Sequence, residues 1–216
     1  MENLLKYPSS CMVGKAVPKA TFYRMVEMSK SMKQHMQDDL VGITWLYKVA
    51  PTTMQVQASE TMREIEVFLA DLKTSDCGLD LFRYIDSNIM QYVVFILRYG
   101  EQYRFLINYK DWADASHTRF TVTQTFVSDW LTATQLSLPI TGTELPVIYE
   151  GFVRYIAGDK LSGSKGLHDD VLTFQEQEAL KKRIANLQEQ LRKEAQPRRK
   201  FEWHQQIVEL QKKLNS

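Results

Sequence analysis

The chain has 216 residues, enough for one ordinary domain with an appendage or for two small ones. A hydrophobic share of 44% with 11% aromatics excludes wholesale disorder, and 27 basic against 26 acidic residues leave no overall field that would draw the chain to nucleic acid or anionic lipid. Two cysteines, Cys11 and Cys77, give neither a disulfide framework nor a zinc quartet, no apolar run reaches the roughly 20 residues of a membrane span, and the N-terminus has no apolar signal core, so a cytoplasmic protein without membrane association is expected.

The first twenty residues lack periodicity and hold Pro8, Gly14 and Pro18, which reads as an extended arm or strand laid on the body. From Thr21, the apolar positions Phe22, Met25, Met28, Met32, Met36 and Leu40 recur every three or four residues and predict a helix of about five turns that packs its stripe on a sheet. Residues 43–49 alternate as a strand that Pro51 stops, and residues 64–73 form a second strand with Ile65, Val67 and Leu69 on one face. A short helix over residues 79–85 follows Gly78. Residues 92–97 are apolar on both faces, the mark of a strand covered on two sides, and turn at 99–102 into a strand over 103–109. Phe120 to Val127, with Thr121, Thr123 and Thr125 alternating, predicts a fifth strand with one solvated face. Hairpin-length links with a single helical insertion favour an α+β fold, a mostly antiparallel sheet of about five strands with packed helices. Val147, Ile148, Gly151, Phe152, Tyr155 and Ile156 add a helical stripe that ends near Gly158.

Residues 159–170 hold Gly163 and Gly166 among polar residues and read as a linker between a body, 1–158, and an arm, 171–216. In the arm, Leu180, Ile184, Leu187 and Leu191 step by four, three and four, and after an interruption at Pro197 the same steps recur in Trp203, Ile207, Leu210 and Leu214. Each seam spans about two heptads, too short to stand alone in water, and proline inside a helix costs about 3 kcal/mol. A helical hairpin or coiled-coil arm bending at Pro197-Arg198-Arg199 satisfies both constraints, with the seam closing within one chain or between chains. Residues 175–216 carry ten Lys and Arg against six Glu, which leaves 17 basic against 20 acidic residues elsewhere. Arg192, Lys193, Arg198, Arg199 and Lys200 cluster at the bend, a pattern suited to salt-dependent phosphate contact with DNA or RNA and equally to a solvated helix end.

Sharp catalytic motifs are absent. The chain has no phosphate-cradling glycine loop, His-Glu-x-x-His, Cys-x-x-Cys or Gly-x-Ser-x-Gly, and His35, His117, His168 and His204 fall on separate segments, so no cofactor and no metal site is expected. Asp71-Leu72-Lys73 is the one arrangement with catalytic promise. A carboxylate and a lysine two apart on a strand share a face, where a metal-dependent nuclease places a cation ligand beside a phosphate-polarising ammonium. Asp38 and Asp39 are the nearest second ligands, and the competing reading is an ordinary solvated strand end.

Several stretches resemble one prokaryotic family in order along nearly the whole chain. They are Pro18-Lys19 with Thr21-Phe22, residues 43–53 (ITWLYKVAPTT), Glu64-Ile65-Glu66-Val67-Phe68 with Leu72-Lys73, Ile85-Asp86, the apolar run from Val93 to Leu97, Tyr109-Lys110, and the tail residues 191–196 with Arg199-Lys200. The family is the one called domain of unknown function 4391. Its members look to carry Glu-x-Lys more often where this chain has Asp71-x-Lys73, and their tail lacks the proline found here at 197. The resemblance supplies no catalytic residues. It implies a genomic setting beside superfamily-two helicases and DNA methyltransferases of restriction-like or phage-defence islands, an associational argument. The resulting expectation is an accessory protein whose arm docks such a helicase or methyltransferase through Leu180, Ile184, Leu187, Leu191, Trp203, Ile207, Leu210 and Leu214, with the basic tip near nucleic acid. The alternatives are a metal-dependent nuclease on Asp71 and Lys73, and a homo-oligomer built through the arm.

Overall fold

In the computed structural model, which describes residues 3–25, 27–113 and 120–214, a short 3-10 turn leads into β1 (Met12–Val17), α1 (Lys19–Met25), α2 (Lys30–Asp38), β2 (Leu40–Val49), β3 (Ile65–Leu72), α3 (Asp80–Ser87), β4 (Tyr92–Tyr99), β5 (Gln102–Trp112), β6 (Phe120–Val127), β7 (Leu131–Thr132) and α4 (Leu145–Ala157). Two further helices follow, α5 (Leu167–Lys193) and α6 (Pro197–Leu214). The chain divides into two compact units, Met1–Gly158 and Asp159–Ser216.

The strands of the first unit join one sheet in the order β1-β2-β3-β4-β5-β6, with β7 beside β5. All pairings are antiparallel except β3 with β4, which run parallel because α3 carries the chain back between them. The fold class is α+β, with seven strands among the described residues where about five were expected. The additions are β1, which takes up the N-terminal arm and is bulged between Met12 and Lys15, and the two-residue β7. Gly100, at φ +58°, supplies the left-handed residue that the tight β4–β5 turn requires.

Residues 92–97 of β4 are all buried, as their two-sided apolarity predicts. Alternation along the strands sends Ala70, Leu72, Val93, Phe95, Leu97 and Leu106 to one core, where they meet Met36 of α2 and Leu81, Phe82 and Ile85 of α3. The Phe82 and Phe95 rings sit 5.2 Å apart, and burying each contributes about 2–3 kcal/mol. Tyr92 points the opposite way from Val93 and meets Tyr149 of α4 edge-on at 4.7 Å, so α4 covers the second face of the sheet.

The single five-turn helix expected over residues 21–40 is in fact two helices and the start of a strand. Ser29 adopts an extended backbone and its Oγ accepts from Met32 N at 3.1 Å, an N-cap that starts α2 afresh. The stripe survives the break: Phe22, Met28, Met36 and Leu40 are all buried, although Leu40 belongs to β2. A continuous apolar face therefore does not require a continuous helix.

In the second unit α5 begins at Leu167, inside the stretch read as linker. Gly166 stands at its N-cap with Asp169 and Asp170 in the first turn, where carboxylates complement the helix dipole, and Ser162 Oγ donates to Asp170 Oδ1 at 2.6 Å. The bend also lies earlier than expected. Residues 194–196 make the turn, and Pro197 opens α6, the first-turn position where its missing N–H costs nothing.

Candidate functional site

The arm's seam is built by two helices too weak to persist alone. The three-residue connection folds α6 back antiparallel against α5, and the seam closes within the chain. Ile184 and Ile207 are buried at 7% and 5% exposure. Leu180, Leu187, Leu191, Trp203, Leu210 and Leu214 are only half-buried, because a two-helix hairpin covers one side of each leucine and leaves the other open. Phe201 and Val208, seven residues apart and hence on one stripe of α6, are 62% and 37% exposed and form a second apolar strip on the side of α6 turned away from the seam.

The hairpin's bend gathers its charges, but mostly in pairs. Lys193 Nζ donates to Glu189 Oε1 at 2.6 Å, Arg198 lies 3.4 Å from Glu202, and Arg199 lies 3.6 Å from Glu194. Arg192 and Lys200 have no salt-bridge partner among the described residues. Glu194 Oε1 accepts from Gln196 N at 3.0 Å and Ala195 N at 2.9 Å, and these backbone donors, with Arg199 and Lys200 nearby, hold its carboxyl below the usual range. The Arg199 guanidinium sits 5.9 Å from the Trp203 ring centre. Trp203 thus serves the hairpin's own packing, and Phe201 is the aromatic left facing solvent.

Asp71 and Lys73 are engaged with different neighbours. Asp71 pairs with Arg98, its partner across the parallel β3–β4 ladder. Lys73 Nζ donates to Gln37 O at 2.6 Å, and Lys19 Nζ to Leu40 O at the same distance, so these two cations serve carbonyls where α2 hands over to β2. Asp39, offered as a second acidic ligand, accepts at Oδ2 from His35 Nδ1 at 3.1 Å, and Asp38 accepts from Gln34 at 2.8 Å. Among the described residues no three His, Cys, Asp or Glu side chains are placed to hold a metal ion. His117 lies outside the described residues.

Two polar clusters in the body carry more unusual chemistry. Ile85-Asp86 and Tyr109-Lys110, two stretches that carry the family likeness, meet in the core. Lys110 Nζ donates to Asp86 Oδ1 at 2.6 Å, with both side chains fully buried, and also to the carbonyls of Gln91 at 2.6 Å, Asp86 at 3.2 Å and Ile89 at 3.3 Å. Asn108 Nδ2 donates to Asp86 Oδ2 at 2.8 Å, and Thr125 Oγ1 donates to Asn108 Oδ1 at 2.7 Å. Burial raises the Asp86 carboxyl and lowers the Lys110 amine, each opposed by the partner's charge. The network is closed to solvent and satisfied, so its chemistry is structural. Nothing in sequence spacing unites residues 24 apart on a helix and a strand.

The second cluster stands at the start of β3. Lys48 and Glu66 face each other across the β2–β3 ladder, and Lys48 pairs with Glu64, two residues before Glu66 and on the same side of the strand. Glu66 is only 5% exposed and its Oε2 has no hydrogen-bond partner. Burial, reinforced by the Glu64 charge and opposed by Lys48, pushes its carboxyl up to about 8. A hydrophobic strand with an isolated inward Glu at position two was the available signal; alternation placed Ile65, Val67 and Leu69 on one face and left Glu66 on the other, which the sheet also buries.

Residues 5–214 match the model of a family described as Domain of unknown function (DUF4391). The chain belongs to this family. Membership in DUF4391 spans body and arm together, so the hairpin lies within the matched region along with the sheet. No curated protein and no solved structure matches the chain. No helix among the described residues is long and apolar enough to cross a membrane.

Proposed function

We propose that the protein is a non-catalytic accessory subunit whose helical hairpin docks a larger partner of the DNA helicase or methyltransferase type. Two observations support this reading: six of the seam's eight apolar residues keep one side open, and Phe201 and Val208 expose a second apolar strip on the outer side of α6. A helix from the partner laid along α6 would convert a two-helix pair into a three-helix packing and cover that stripe. The surplus of ten Lys and Arg over six Glu in residues 175–216 selects an acidic partner helix. The genomic setting implied by the family resemblance supplies the partner class, cytoplasmic and concerned with DNA or phage defence. Nucleic-acid contact at the tip is secondary in this reading, because three of the five clustered cations already have carboxylate partners.

The test is co-purification of the full chain with the helicase or methyltransferase encoded beside it. Phe201→Glu with Val208→Glu changes exposed residues only, so the hairpin keeps its circular dichroism while partner recovery falls by about tenfold or more. Undiminished recovery rejects the docking role. If light scattering instead finds a dimer that these substitutions dissolve, the seam serves self-association.

A further inference from the structure

We draw no further inference here: the strongest candidate, the stripe of Val147, Gly151 and Tyr155 on the outer face of α4, is an unpartnered apolar face, and nothing in the structure shows what covers it.

Discussion

Replacing Lys110 by Met removes an ammonium that touches Asp86 at 2.6 Å and leaves the carboxylate fully buried with only the Asn108 amide, at 2.8 Å, on its other oxygen. Breaking a buried pair in this way costs about 3–5 kcal/mol, a large part of a stability that for such domains totals about 5–15 kcal/mol. Asp86→Asn is milder, about 2 kcal/mol, because the ammonium keeps the carbonyls of Asp86, Ile89 and Gln91. The double variant costs less than the sum, with a coupling of about 1.5 kcal/mol or more. The pH response has a definite sign. Asp86 has a folded pKa raised above its unfolded value, so the native state holds the extra proton and stability falls as pH rises through that interval. Without Lys110 the Asp86 pKa rises further, so the fall in stability with rising pH extends to higher pH in Lys110→Met than in the wild type. Urea unfolding of the four proteins across a series of pH values, followed by circular dichroism, supplies the cycle. Single variants that each cost under about 1 kcal/mol, or strictly additive costs, would refute the claim that this pair organises the core.

Other expectations follow from single contacts. Ile207→Ala empties the centre of the hairpin and costs it about 2–4 kcal/mol, seen as faster hydrogen exchange across α5 and α6 with exchange in the sheet unchanged. Ser29→Ala removes the side-chain acceptor for Met32 N and lowers stability in urea by about 1 kcal/mol. Asp71→Asn breaks a partly exposed pair with Arg98 and shifts stability by less than about 1 kcal/mol; a larger shift in the same urea titration would mean the pair does more than close a strand end. With Arg192 and Lys200 as the unpaired cations of the tip, any duplex binding shows a shallow salt dependence, a log–log slope near −2 and not the steeper value five free cations would give.

Periodicity made most of the fold legible. Two-sided apolarity marked β4 as central, and the four-three-four steps of the leucines marked both arm helices. Punctuation was harder to read. Ser29 caps a helix inside an unbroken apolar stripe, and Pro197 opens a helix instead of occupying the bend, since proline suits a first turn as well as a loop. The parallel step from β3 to β4 follows from a helical insertion that the sequence displays, but strand direction has no local signal. The polar clusters were less visible still. Asp71-x-Lys73 drew attention by its spacing, yet its members serve Arg98 and Gln37. Asp86 with Lys110, and Lys48 with Glu64 and Glu66, assemble only through sheet register and helix packing, which a linear pattern does not encode.

Hydrogen exchange of the full chain, alone and mixed with the helicase or methyltransferase proposed as its partner, tests the docking role most directly. The account predicts slowed exchange concentrated in residues 167–214, strongest along α6 from Phe201 to Val208, with the sheet unchanged. Protection confined to residues 3–113, with the hairpin as open in the complex as out of it, would contradict it.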